Sequence, residues 1–326
     1  MAEPNKRVFV TGIAGFIGFH VAKTLKNQGH FVIGIDNFNS YYDPTLKRAR
    51  QEELKTLEIE VIDAALQEKE KIASLLDSYA ITHFIHLAAQ AGVRYSIQNP
   101  QTYIENNIEG FLSVLETLKD RPKIKLIYAS SSSVYGFNKK TPFAETDLLT
   151  NPANIYAASK IANESMAQAY HHLYGIHAIG LRYFTVYGPW GRPDMAYFLF
   201  ARSILENKPL FLRNSGQMQR DFTYVDDIAS GTISALDISG CEIFNLGNSK
   251  PAQLMDLVSI MEKKLQKQAK KIFIPMEKGE PLLTFADLTK SQKNLGFSPV
   301  ISLETGLEKF LDWYLAYYHA KDFIYL

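Results

Sequence analysis

Two short segments hold residue types that can move a proton and place a hydroxyl. The apolar run Leu126-Ile127-Tyr128-Ala129 ends in four serines, Ser130 to Ser133. Downstream, Asn154-Ile155-Tyr156-Ala157-Ala158-Ser159-Lys160 opens an alanine-rich stretch. The first segment puts hydroxyls at the carboxyl end of a strand, where open α/β sheets bind ligands. The second puts a phenol and an ammonium one helical turn apart on one face. A cation beside a phenol favours the phenolate, so Tyr156 beside Lys160 is a candidate general base near neutral pH. Ser131 is placed to orient a substrate hydroxyl. Such a set takes a proton from an alcohol while a hydride leaves the same carbon.

The spacing by itself is weak, because Tyr-x3-Lys occurs three times: Tyr135/Lys139, Tyr156/Lys160 and Tyr317/Lys321. An isolated pair of this kind is most simply a surface tyrosine near a solvated lysine. Only the middle pair lies in a well-delimited helix. The segment 154–174 follows Pro152 and stops at Gly175, a suitable C-cap.

A base for hydride chemistry needs an acceptor, and the N-terminus supplies the place for one. Arg7-Val8-Phe9-Val10 reads as a buried strand running into Thr11-Gly12-Ile13-Ala14-Gly15-Phe16-Ile17-Gly18 and then a helix. A second apolar run, Phe31 to Ile35, ends at Asp36. Gly12 permits the tight turn, Gly15 lets the backbone approach a pyrophosphate, and Gly18 lets helix pack on strand. The phosphates then sit at the positive end of the helix dipole. Asp36 lies about 20 residues on, where an acid takes ribose hydroxyls and opposes a 2′-phosphate, favouring NAD over NADP. The spacing is GxxGxxG. Three glycines alone are plain turn residues; with both strands, the helix and the acid they form a dinucleotide site.

The chain has 326 residues and a formal net charge of +1. That length suffices for a full core in one large domain or two intimately joined ones. Near-neutral charge without aromatic-basic interleaving gives no reason to expect nucleic acid. The single cysteine, Cys241, rules out an intramolecular disulfide framework and suits a reducing compartment; beside Ile243-Phe244 it reads as a buried structural thiol. The first strand begins by Arg7, which leaves no room for a signal peptide, and no apolar run reaches the ~18 residues of a membrane span. A cytoplasmic location away from membranes is the expectation. The eight histidines show no metal-ligand spacing, so no metal is expected.

The elements that must position these residues alternate regularly. Strands are predicted at 7–10, 31–35, 59–62, 83–87, 124–130 and 176–183, with helices at 16–28, 45–56, 68–78, 101–119 and 154–174. That alternation means an α/β, Rossmann-type, doubly wound parallel sheet. After Gly188-Pro189 the pattern becomes less regular. Residues 1–183 and 222–247 are expected to form the dinucleotide-binding domain, and 184–221 with 248–326 a smaller α/β substrate lobe. The charge-rich stretch 262–271 reads as a solvated helix end.

The chain resembles the extended short-chain dehydrogenase/reductases, the NAD-dependent nucleotide-sugar epimerases and dehydratases. The motifs are Gly12/Gly15/Gly18, Asp36-Asn37, Asp63, Leu87-Ala88-Ala89, Asn107, the serine run, Tyr156/Lys160, Arg182-Tyr183-Phe184 and Arg220-Asp221. Stretches 36–43, 88–96 and 183–196 are most similar to family members that invert C4 of UDP-glucuronate. The resemblance implies an isomerase with NAD as resident cofactor. Bound NAD takes the C4 hydride of a UDP-sugar and returns it to the other face of the 4-keto sugar. It implies Ser131, Tyr156 and Lys160 as the catalytic set. It places Gly12, Gly15, Phe16, Ile17, Gly18, Asp36, Asn37, Asp63, Leu87, Ala88, Ala89, Asn107 and Tyr183 at the cofactor, with Asp63 as the acid for the adenine. Arg94, Arg192 and Arg220 are implied at the UDP-sugar, Arg192 and Arg220 at its pyrophosphate or ribose. Relatives also imply a homodimer through helices 101–119 and 155–174.

Within the family, dehydratases carry Asp-Glu after the catalytic hydroxyl and decarboxylases a Glu at the second position. Here Ser132 and Ser133 stand there. With Thr185 they offer three hydroxyls to a sugar carboxylate, and the expectation is UDP-glucuronate turned to UDP-galacturonate. The alternatives are a 4-epimerase of neutral UDP-hexoses and a catalytically idle NAD-binding scaffold or sensor. Two positions depart from the family: Asp63 is followed by Ala64-Ala65, and Leu282-Leu283-Thr284 replaces an arginine before Ala286-Asp287.

Overall fold

The computed structural model describes residues 5–275 and 281–322. Its centre is a seven-stranded, all-parallel sheet. Six strands match the predicted runs: β1 (Arg7–Thr11), β2 (Phe31–Asp36), β3 (Glu60–Asp63), β4 (His83–His86), β5 (Lys125–Ser131) and β6 (Ala178–Tyr183). The seventh, Cys241–Leu246, adds at the edge beside β6. Spatially the order is β3-β2-β1-β4-β5-β6 and then Cys241–Leu246. Helices cover both faces, so the inner strands read as near-continuous apolar runs rather than alternating ones. The chain steps from β3 on one flank to β4 beside β1. This reversal opens a crevice at the carboxyl ends of β1 and β4.

The helix Phe16–Asn27 buries Phe19, Ala22 and Leu25, three residues apart, against the sheet. The helix Ile155–Tyr174 starts where the Asn154 side chain accepts the Ala157 N–H at 2.9 Å and ends at Gly175 with φ +71°. A cap and a left-handed stop thus fix the register that points Tyr156 and Lys160 inward.

The predicted helix 101–119 is interrupted. Pro100–Tyr103 is α-helical, Ile104–Glu109 is a π turn, and Gly110–Leu118 is α-helical again. The wider turn accommodates Asn107, whose buried amide bonds Gln90 N (2.8 Å), Gln90 O (3.0 Å) and the Ser159 hydroxyl (3.0 Å). The stretch 262–271 also differs from the expected helix end. The helix stops at Leu265, and Lys270–Ile274 pairs in parallel with Pro209–Arg213. Cys241 is half-buried rather than buried.

A further apolar cluster, including Tyr187, Tyr197, Phe198, Leu257 and Phe310, gathers elements outside the central sheet. Between it and the strand ends lies a cleft of about 1160 Å³. Among the described residues no helix is long and apolar enough to cross a membrane.

Candidate active site

One end of the cleft is made largely of backbone. Gly12 has φ +69°, and a Cβ there would sit 2.7 Å from the Ala88 nitrogen. A Cβ on Gly18 would lie 2.1 Å from the Gly12 carbonyl oxygen. The turn therefore closes only with glycine, and it brings the N-terminus of the Phe16–Asn27 helix to the crevice. Gly12, Gly15, Phe16, Ile17, Gly18, Asn37, Leu87, Ala88 and Ala89 all line the cleft. At the end of β2, Asp36 is buried and accepts the Phe38 N–H at 2.9 Å. Burial pushes its carboxyl pKa up, and the Lys47 and Arg50 cations oppose that rise. A helix N-terminus for phosphates, an inward acid for ribose and side-chain-free walls fit a dinucleotide. The Asp63 side chain is paired with Arg48 at 2.9 Å, while Ala64, Ala65 and Leu66 beside it line the cleft. Asn107 lies just behind the wall and braces Gln90.

At the cleft's middle, β5 delivers Ser131 and the short turn Ser132–Tyr135. The Ser131 hydroxyl accepts the Ser133 N–H at 3.2 Å and faces the Tyr156 phenol. Burial raises the Tyr156 pKa; Ser131 and the Arg192 cation pull against that rise. The Lys160 ammonium donates to the Ala129 carbonyl at 2.8 Å, and burial draws its pKa down to about 8. Desolvation is the largest influence on Tyr156, so Lys160 has to be joined by further positive charge to ionise the phenol. His86 competes poorly as a base, because burial and then the Lys160 charge bring it down to about 3.

The other two Tyr-x3-Lys pairs lie away from this centre. Tyr135 stacks on Phe143 at 4.7 Å and donates its hydroxyl to Asn245 at 2.7 Å. It also accepts from Arg182 at 3.0 Å, within a buried network in which Glu164 binds Arg182 at 2.9 and 2.8 Å and Ser130 at 2.5 Å. Tyr317 packs on Trp313, and the Lys321 side chain lies outside the described residues. Tyr183 lines the cleft, and its hydroxyl meets Thr232 at 2.9 Å.

The far wall is built from side chains. Ser132, Ser133, Thr185, Arg94, Arg192 and Arg220 all line it. Thr185 is fixed by its N–H bond to the Asp221 carbonyl at 3.0 Å. Asp221, fully buried, accepts N–H groups from Asn248 (2.6 Å), Ser249 (3.0 Å) and Ala286 (2.9 Å), which pins the neighbourhood of Arg220. Arg192 enters the cleft with a partner of its own. Its charge reaches the Tyr156 phenol, and its fork is bound by Asp194 at 3.0 and 2.5 Å. Asp194 in turn accepts from Tyr41 at 3.0 Å.

The NAD-dependent epimerase/dehydratase family model matches residues 8–247, most of the chain and all seven strands of the central sheet apart from Arg7. The chain belongs to this family. UDP-glucuronate 4-epimerase 1 of Arabidopsis thaliana is 47% identical, over 95% of this chain and 77% of that protein. The crystal structure of UDP-glucuronic acid 4-epimerase from Bacillus cereus, in complex with UDP-glucuronic acid and NAD, superposes with a TM-score of 0.89. It is 38% identical over 96% of this chain and all of that one. UDP-glucose 4-epimerase from Thermotoga maritima, solved with UDP-glucose, gives 0.87 at 28% identity, over 96% of this chain and 99% of that one. This epimerase/dehydratase-family chain is thus closer in sequence to the uronate enzymes named here than to the hexose enzyme.

Several residues that shape this epimerase/dehydratase site were not singled out from sequence. Arg50 is fully buried and donates to the carbonyls of Ala14 (2.9 Å), Trp190 (2.6 Å) and Gly191 (3.3 Å) and to Tyr42 (2.8 Å). It ties the glycine turn to the loop that carries Arg192. A signal was present: Leu46, Arg50 and Leu54 share a four-residue spacing, so a cation sits on the apolar stripe of its helix. Asp194 and Tyr41 had no such signal, because their pairing joins segments far apart in sequence.

Proposed function

We propose that this chain is an NAD-dependent 4-epimerase that interconverts UDP-glucuronate and UDP-galacturonate through a transient 4-keto sugar. The carrying observation is the wall beside Tyr156. Ser132 and Ser133 stand where elimination or decarboxylation would call for a carboxylate, and Thr185 and Arg192 line the same cleft. NAD⁺ held at the glycine turn and Asp36 would supply the hydride acceptor for C4 and the source of the hydride for its return to the opposite face. Tyr156 takes the proton of the C4 hydroxyl and gives it back to the C4 oxygen of the product. Ser131 orients that oxygen. Lys160, anchored on Ala129, adds positive charge that favours the phenolate. Asp36 takes the adenosine ribose, and Arg94 and Arg220 take the UDP end through charge-assisted bonds.

The hydroxyl grip has a chemical purpose. The 4-keto uronate is a β-keto acid and loses CO₂ when the carboxylate bond lines up with the carbonyl π-system. Holding the carboxylate out of that alignment preserves it. On this reading residues 1–183 with 222–247 carry the cofactor, and 184–221 with 248–326 form the substrate lobe. A homodimer belongs to the same proposal. Ile97, Ile104, Leu112 and Leu173 are exposed on or beside the two helices concerned, and light scattering at twice the chain mass is the expected result.

The function is tested by adding UDP-glucuronate to protein purified without added cofactor. NAD released on denaturation and a UDP-galacturonate peak on anion exchange are expected. Turnover of UDP-glucose alone would replace this reading with the neutral-hexose one.

A further inference from the structure

One edge of the Arg192 guanidinium is already filled. Its Nε and one terminal nitrogen both donate to the Asp194 carboxylate, and the Tyr41 hydroxyl supports that carboxylate from the opposite loop. The ion pair is mostly shielded, with side-chain exposures of 20% for Arg192 and 31% for Asp194. Yet Arg192 is the cation whose charge reaches Tyr156 from the far wall, and it stands with Thr185 and the serines around the sugar's place. An anionic sugar therefore meets an arginine that already holds a carboxylate.

We propose that Asp194 is an internal counter-ion that competes with the sugar carboxylate for Arg192 and so sets how tightly a uronate is held. This rests on the uronate reading above. The physical reason lies in the reaction itself. A bidentate guanidinium–carboxylate bond is among the strongest polar contacts a protein makes. If Arg192 were free, it would lock the sugar in one orientation. Between losing and regaining its C4 hydride, the 4-keto sugar must turn its other face to the cofactor. An interaction equally strong before and after that turn tightens binding without helping the reaction, and it opposes the turn itself. With Asp194 in place, Arg192 can pass between two carboxylates of equal charge and similar geometry. The grip then becomes an exchange. Specificity for the uronate is left to the hydroxyls, which hold a carboxylate more loosely. Tyr41 gives the device its rest position, because its bond to Asp194 keeps the internal carboxylate within reach while the sugar moves.

The test compares binding of UDP-glucuronate and UDP-glucose by calorimetry, with NAD-loaded protein in a Tyr156→Phe background so that neither sugar turns over. Asp194→Asn keeps the shape and removes the competing charge. The expected result is a gain of about ten-fold in UDP-glucuronate affinity, the scale of one bond to a charged group, with UDP-glucose affinity unchanged. With Tyr156 intact, Asp194→Asn should lower both KM and kcat for the uronate. Damage to the loop would instead weaken both sugars together. Tyr41→Phe keeps Asp194 but removes its support, and should move uronate affinity in the same direction by a smaller factor; it decides the matter if Asp194→Asn does not fold. Unchanged or weaker uronate affinity, or an equal gain for both sugars, overturns the proposal. Wild-type protein that fails to make UDP-galacturonate overturns the functional reading instead, and leaves the affinity comparison free to stand.

Discussion

At the cofactor end of the cleft the chain presents backbone; at the sugar end it presents side chains already bonded to one another. The first is written within 25 residues, Gly12 to Asp36, and depends on the absence of side chains: a single Cβ at Gly18 would fall 2.1 Å from a carbonyl oxygen. The second draws on β5, the Ile155–Tyr174 helix, Thr185, the loop bearing Arg192 and Asp194, and Tyr41 from across the cleft. A cofactor that stays through every cycle suits a rigid, pre-formed cradle. A sugar that must turn within its site suits polar groups with alternative partners, as the Arg192–Asp194 pair provides.

The largest effect should separate the two ends completely. Tyr156→Phe removes the proton acceptor and keeps the ring, so the rate of UDP-galacturonate formation should fall by about 10²–10⁴-fold. NAD content, read from the supernatant after denaturation, should not change. Loss of both would mean that the ends are not independent.

Next comes the buried network that joins the catalytic helix to β5 and β6. Glu164 and Arg182 are an almost fully buried pair, with side-chain exposures of 10% and 4%. Glu164→Gln leaves the guanidinium charge without its partner and should destabilise the protein by about 3–5 kcal/mol, measured by urea unfolding. A loss below about 1 kcal/mol would mean that the pair behaves as a surface bridge.

Much of the cofactor end could be read from sequence, because its information is local. Strand bounds moved by only a residue or two, and Asn154 and Gly175 fixed the catalytic helix by their own chemistry. The sugar end was legible in its residues but not in their partners. Ser132, Ser133, Thr185 and Arg192 were picked out by motif, whereas nothing near Arg192 in sequence announces that Tyr41 supports its Asp194 partner from another segment. The π turn at Ile104–Glu109 was equally hidden, since its reason, Asn107 reaching Gln90 and Ser159, lies in two other segments. The pKa of Tyr156 went the other way from the local argument. The helix supplies Lys160, but tertiary burial supplies the larger opposing cost.

A smaller effect should appear only at the sugar end. Ser132→Ala and Thr185→Val each remove one hydroxyl from the proposed carboxylate grip. Each should cost UDP-glucuronate turnover about 1.5–3 kcal/mol in kcat/KM, with little change for trace turnover of UDP-glucose. A decarboxylated pentose product should appear alongside, visible on anion exchange. Parallel losses for both sugars would assign these hydroxyls to the strand end alone.

The smallest effect on rate is expected at Tyr135, which shares the spacing. Tyr135→Phe breaks its bonds to Asn245 and Arg182, so stability should fall by about 1–3 kcal/mol in thermal or urea unfolding. The rate should stay at the wild-type level. A large loss of rate with stability intact would move the base from Tyr156 to Tyr135.

The central claim is that a hydride leaves C4 and returns to C4 within one cleft that does not release its cofactor. UDP-glucuronate carrying deuterium at C4 tests this directly, with the product examined by mass spectrometry and NMR. The account predicts UDP-galacturonate that keeps the deuterium at C4 in ordinary water, without added NAD. UDP-galacturonate that has exchanged its C4 label with solvent, or a pentose product in its place, would contradict it.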